Sequence, residues 1–249
     1  GLSRVESFFA DLHIHTVLSP CGDLLMTPQN IIDQALKIGL DIIAITDHNS
    51  AKNVATTVKL AADTKLTIIP GMELETKEEV HLICLFPTVE KVLQWQEIVE
   101  AALPDLENNE EAFGPQLITD VNDEYVKKES KLLMQATKLS IEDVVTKVNE
   151  LEGIVIPAHV DKTNYSLISN LGFINPELNI SAVEISQNTN KRQAKNQFEQ
   201  LENYSLVSSS DAHYLKGIKK SMRLYLNKAT FNELKLAVLG VENRKIELL

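Results

Sequence analysis

Six histidines occur in the chain, at positions 13, 15, 48, 81, 159 and 213, and each adjoins a stretch that reads as a β-strand. His13 and His15 alternate in Asp11-Leu12-His13-Ile14-His15-Thr16. Residues two apart on a strand point to the same face, so such a pair can grip one cation. His48 follows the strand Asp41 to Thr46, Glu73 follows Leu66 to Pro70, and His159 follows Ile154 to Pro157. Asp211 and His213 alternate just after a further strand that includes Leu206 to Ser208. Five of the six histidines therefore fall at or beyond a strand's C-terminal end. His81 instead opens its strand, and joins the others only if that strand runs antiparallel.

Imidazole nitrogens mixed with carboxylate oxygens suit Zn, Mn or Fe. A carboxylate such as Glu73 can bridge two ions about 3.5–4 Å apart, the spacing of two-metal phosphatases. Singly, each residue has a plainer reading. An HxH in a strand is more often structural, His48 could be a turn histidine, and Glu73 a helix-cap carboxylate. No histidine is left over as background, however, and the joint reading is a metal centre.

The elements that must position these groups alternate short apolar strands with helical periods, which points to βα units and a mainly parallel sheet. Thr27-Pro28 starts a helix and Gly39 ends it. Ser140 with Asp143 has the spacing of a capping box. Helices are expected over Ala51 to Asp63, Val89 to Leu103, Asn190 to Asn203 and Thr230 to Gly240. With Val80 to Phe86 and Ala182 to Ile185, seven strands result, the first being Phe8 to His13. The expected fold is α/β, a closed or nearly closed seven-stranded (β/α) barrel carrying its chemistry on the strands' C-terminal rim. The stretch 104–140, with Pro104, Gly114, Pro115 and acidic runs, reads as a lid-like insertion in a single domain spanning 1–249, being too short to bury a core of its own.

The 249 residues are 44% hydrophobic and 24% charged, ordinary for a globular protein. Cys21 and Cys84, the only cysteines, form no disulfide framework, so a cytoplasmic location is expected. No apolar run approaches the length needed to span a membrane, and the start, from Gly1 to Ser7, lacks the pattern of a signal peptide. The formal net charge of −11 argues against long nucleic acid as a partner and favours a small anionic substrate.

At DLHIHT (11–16), ITDHN (45–49), PGMELE (70–75), VHLICLF (80–86), IPAHVD (156–161) and SSSDAH (208–213) the chain resembles the polymerase and histidinol phosphatase (PHP) family, with the pieces in the family's order. The resemblance implies a distorted seven-stranded (β/α) barrel and two or three divalent ions. His13 and His15 would hold the first with Glu73 and Asp211. Glu73 would bridge to a second, on His81 and His159, and His48 and His213 would hold a third. Cys21 stands where some members have a histidine, and is either a soft ligand to that third ion or an unligated loop cysteine.

Asp11 and Asp47 are expected to take the second N–H of ligand imidazoles. With Glu73 and Asp211 they complete the candidate catalytic carboxylates, and a metal-bound water, Asp11 or the His213 region is a candidate proton donor to the leaving oxygen. Lys162, Asn164, Asn188, Lys191 and Arg192 are candidate substrate contacts. The expected activity is metal-dependent hydrolysis of a phosphoester in a small phosphorylated metabolite or short nucleotide, by a metal-activated hydroxide. An oligonucleotide-processing exonuclease is the alternative enzyme, and a non-catalytic PHP module the alternative class. Oligomeric state stays open.

Overall fold

A computed structural model describes residues 4–249; Gly1 to Ser3, to which the sequence assigns no function, lie outside the described residues. Eleven strands are present among them: β1 (Glu6–Ile14), β2 (Ile42–Ile45), β3 (Thr67–Glu75), β4 (His81–Leu85), β5 (Leu117–Thr119), β6 (Tyr125–Lys128), β7 (Ile154–Pro157), β8 (Ala182–Ile185), β9 (Ser205–Ser208), β10 (Met222–Leu226) and β11 (Lys245–Leu248). Seven of them form one curled sheet in the order β11-β10-β1-β2-β3-β4-β7. Strands β1, β2 and β3 are parallel, whereas the β3–β4, β4–β7, β1–β10 and β10–β11 pairs are antiparallel.

The seven strands expected from sequence are all present, but they are not the seven of the sheet. Strands β8 and β9 form a separate parallel pair, and its places in the sheet are taken by β10 and β11. The pair lies between the two ends of the sheet, β8 beside β7 and β9 beside β11, without ladder hydrogen bonds across either seam. The result is a half-barrel sheet rather than a continuously bonded barrel.

Helices α1 (Pro28–Ile38), α2 (Val54–Ala61), α3 (Val89–Ala102), α4 (Glu110–Phe113), α5 (Ile141–Glu150), α6 (Leu167–Leu171), α7 (Lys191–Gln197) and α8 (Phe231–Leu239) complete the fold. The expected caps are present. Thr27 Oγ1 accepts from Asn30 N–H, Gly39 sits at φ 88°, and Ser140 and Asp143 exchange both bonds of a capping box. The expected helix Asn190 to Asn203 breaks at Phe198 into α7 and a 3₁₀ turn, Glu199–Asn203.

Alternation along the strands sorts apolar residues into two layers. Ile42 and Ala44 of β2 and Ile83 and Leu85 of β4 face inward against Leu12, Ile69, Met222 and Leu224. Ile43, Ile45 and Leu82 face outward, in the layer that holds Ile31 and Ala35 of α1, Trp95 of α3 and Val148 of α5. Glu73 and His81 fall on the inward parity of their strands, so the sheet's curvature brings both over the plug of the inner core.

The 104–140 segment holds α4 and the β5–β6 hairpin and is tied down along its length. Leu117 N–H donates to Val17 O at 3.0 Å, Asn49 Nδ2 donates to Leu133 O and Gln135 O at 2.8 Å each, and Thr137 N–H donates to Glu75 O at 3.0 Å. It runs beside the cleft described next as a bound strap, and contributes Met134 to the wall.

Candidate metal centre

Strand direction explains why His81 belongs with the others. Because β4 runs antiparallel to β3, its first residue lies opposite the last of β3, pairing His81 with Glu75. All six histidines, with Glu73 and Asp211, thus meet on one rim.

Glu73 is the hub. It is 2% exposed, and its Oε2 has three imidazole nitrogens around it: His13 Nε2 at 3.2 Å, His81 Nδ1 at 3.4 Å and His159 Nε2 at 3.5 Å. Its Oε1 faces His15 Nε2 and His48 Nδ1, both at 3.3 Å. Asp211 Oδ1 closes the first group, 3.1 Å from His13 Nε2 and 3.0 Å from His15 Nε2. Ligand atoms within 4.8 Å of one another form three sets: His13, His15, Glu73 and Asp211; Glu73, His81 and His159; and His15, His48 and His213. Despite its ring of nitrogens, Glu73 Oε2 makes no hydrogen bond among the described residues, and neither does the buried Nδ1 of His159. Buried polar atoms are normally paired, so atoms converging without donating mark a place that cations fit. Cys21 Sγ lies 3.5 Å from His48 Nε2 but stands outside the third set.

The chain compensates the carboxylates electrostatically. Burial alone would lower the pKa of His15 and His81, but Glu73 outweighs it, together with Asp211 for His15 and Glu75 for His81, and each is held at about 9. His13 is likewise raised despite burial, by Asp211, Glu184 and Glu73. His213 is lowered to about 4 by burial and the charge of His15.

The groups that orient the imidazoles differ from those expected. Glu184, not singled out in the sequence, takes His13 Nδ1 at 2.9 Å and also accepts His159 N–H at 3.1 Å. The available signal was a carboxylate inside the apolar strand Ala182–Ile185, where a buried charge demands a partner. Glu75, also unassigned, holds His81 Nε2 at 3.1 Å.

Asp47 reaches an imidazole only through Ser19, whose Oγ donates to Asp47 at 2.7 Å and lies 2.9 Å from His15 Nδ1. Asp11 touches no imidazole. It accepts from Ser210 N–H at 3.0 Å and Lys219 N–H at 3.3 Å, and burial raises its pKa to about 6 against those bonds. It braces the loop carrying Asp211, and is absent from the residues lining the cleft.

A cleft of about 640 Å³ opens above the cluster, lined by Lys162, Asn164, Tyr165 and Asn188 among others. Lys162 Nζ is 3.5 Å from Asp211 Oδ2. Lys191 and Arg192 are not in this cleft; the turn into α7 carries them into a neighbouring groove. His159, Asp211 and Tyr165 all adopt positive φ, at 31°, 53° and 55°, a conformation that costs non-glycine residues and that concentrates where geometry serves function.

Fold and site together define a curled α/β half-barrel that gathers a His, Glu and Asp cluster able to hold metal ions on one rim. The PHP domain model matches residues 11–169, and the chain belongs to that family. It is 24% identical over 274 residues to the protein YqxK of Bacillus subtilis, covering 97% of this chain and 64% of YqxK. The lesion-specific endonuclease PfuEndoQ of Pyrococcus furiosus superposes with a TM-score of 0.76 at 22% identity, over 97% of this chain and 58% of that one. A structure of endonuclease Q with a 27-mer duplex bearing an abasic lesion at its active site gives a TM-score of 0.75 at 21% identity, over 96% of this chain and 58% of the other. The chain thus spans about three-fifths of these proteins' lengths.

The duplex complex overturns the expectation that long nucleic acid is excluded: the same fold is seen with a 27-mer seated at its active site. Net charge misled because it is unevenly spread. Residues 1–150 carry 25 Asp and Glu against 12 Lys and Arg, whereas 151–249 carry 10 against 12. The site carboxylates are also counted in that total, although cations would offset them. Among the described residues, no helix is long and apolar enough to cross a membrane.

Proposed function

We propose that this chain is the hydrolytic domain of a metal-dependent nuclease, cutting a phosphodiester bond of a nucleic acid strand. The observation that carries the proposal is Glu73, buried between the first two ligand sets with Oε2 unbonded, beneath a cleft of about 640 Å³. The likeness to endonuclease Q over nearly the whole chain supports the substrate class.

Divalent ions in such a site supply an acidified water and neutralise charge on the phosphoryl oxygens. The chain supplies the rest. His13, His15 and Asp211 would hold one cation, His81 and His159 a second, with Glu73 shared by both sets; His48 and His213, with Cys21 beside His48, would hold a third. Glu184 fixes the ring of His13, Ser19 that of His15, and Glu75 that of His81, so the ligands need not reorganise when substrate arrives. Lys162 sits at the mouth, near enough to Asp211 to shift its ammonium onto an incoming phosphate oxygen. Asp11, buried away from the cleft, would brace the loop that carries Asp211 rather than give a proton to the leaving oxygen.

The test is hydrolysis by protein stripped of metal and reloaded with Zn²⁺, Mn²⁺ or Fe²⁺. Substrates are bis(p-nitrophenyl) phosphate, phosphomonoesters, and labelled single-stranded and duplex oligonucleotides with and without an abasic site. Cleavage of oligonucleotides in preference to monoesters is the expected result. No diester hydrolysis at full metal content would end the proposal, and preference for monoesters would return the reading to a small-metabolite phosphatase.

A further inference from the structure

Lys191 and Arg192 lie outside the metal cleft, yet their surroundings have the makings of a second subsite. They line a groove of about 580 Å³ together with Asn190, Gln193, Ile246 and Leu248. Asn188 and Thr189 line this groove and the metal cleft alike, so the two spaces meet at one loop. That loop is held firmly. Asp161 accepts from Ser186 N–H at 2.8 Å and from Thr189 Oγ1 at 2.8 Å, and Gln187 Nε2 donates to Ser208 Oγ and Ser221 Oγ.

Lys191 and Arg192 are exposed, and among the described residues neither has an ion pair or side-chain hydrogen bond. The carboxylate in the groove, Glu247, is already engaged, by Arg223 at 3.1 Å and Tyr225 Oη at 2.8 Å. Two unengaged cations, amide side chains and a neutralised acid therefore sit one loop away from the metal centre, in the part of the chain that carries no acidic excess.

We infer that this groove is a flanking-phosphate subsite, in which Lys191 and Arg192 hold the backbone of a nucleic acid strand one or more phosphates away from the bond being cut. The inference rests on the nuclease reading above and deepens it to substrates longer than a dinucleotide. A side chain that contacts only phosphate strengthens binding without reading sequence, and each such contact displaces counterions, so it appears in the salt dependence.

The test uses the full chain loaded with Mn²⁺ and a fluorescein-labelled 12-mer of cleavage-resistant phosphorothioate linkages, read by anisotropy between low and moderate salt. Relative to wild type, the Lys191→Glu/Arg192→Glu variant should bind about tenfold more weakly at low salt, with its log–log salt slope smaller by about 1.5 for the two lost contacts. Lys191→Ala/Arg192→Ala, which adds no repulsion, should move the slope in the same direction. Hydrolysis of bis(p-nitrophenyl) phosphate, too small to reach the groove, should stay within about twofold of wild type.

Unchanged 12-mer affinity and slope in both variants would overturn the subsite. So would an equal loss with the aryl ester, which would put the two residues at the reacting phosphate. Because anisotropy needs no turnover, altered binding without oligonucleotide cleavage would leave the groove as a site for nucleic acid phosphates while removing the nuclease reading and, with it, the groove's place beside a bond being cut.

Discussion

Glu184 and His13, 171 residues apart in sequence, meet through both carboxylate oxygens, with His13 Nδ1 2.9 Å from Oε2 and 3.0 Å from Oε1. The same carboxylate takes the backbone N–H of His159, a residue of the second ligand set. One side chain from outside the main sheet therefore ties together two of the candidate ligand sets. Glu184→Gln should preserve the shape but weaken the grip on the His13 ring, and metal affinity should fall by about 10- to 100-fold, as for other carboxylates that orient a ligand imidazole. Competition against a chromogenic chelator measures it; wild-type affinity would assign Glu184 a purely structural part.

Glu73→Gln is expected to remove metal and activity together, because Glu73 faces five imidazoles and serves two ligand sets. Metal content by elemental analysis and turnover on one sample suffice. Full occupancy with normal turnover would refute the bridging role.

Proton linkage gives a third expectation. In metal-free protein His15 and His81 are held at about 9, above their ordinary value near 6.5. Groups whose pKa is raised by folding contribute stability that is fully present below the unfolded value and is lost as pH rises through the folded one. Metal-free protein should therefore lose melting temperature between pH 6.5 and 9.5. Cations bind deprotonated imidazoles and release their protons, so the metal-loaded protein should gain over the metal-free form across that window. Thermal melts with and without chelator check this, and a gap that narrows with rising pH would contradict it.

Asn49 pins the strap at 104–140 with two donated bonds and accepts Glu75 N–H through Oδ1 at 2.9 Å. Asn49 has φ 47°, which glycine tolerates, so Asn49→Gly isolates the lost bonds from backbone strain. A loss of about 2–4 kcal/mol is expected from the buried groups left unpaired. Faster amide exchange should accompany it at Glu75, whose N–H loses its acceptor. Unaltered stability and exchange would mean that the strap is held by its other contacts.

The set of residues that converge was legible in the sequence because coordination chemistry restricts residue type and strand periodicity restricts facing: His13 and His15 two apart, Asp211 and His213 two apart, every histidine beside an apolar run. Local rules likewise placed the caps at Thr27, Gly39 and Ser140, since a helix end is satisfied by its immediate neighbours. What depends on distant partners was not legible. Glu184 is one acid in a four-residue strand until folding sets it against His13 and His159. His81 joins the rim only because β4 runs antiparallel, and strands β10 and β11 enter the sheet where β8 and β9 were expected. Lys191 and Arg192 read as neighbours of Asn188, yet the turn into α7 sends them to a different groove. Net charge is a sum over the whole chain, whereas a phosphate meets only the charges near it, and which charges those are is decided by the fold.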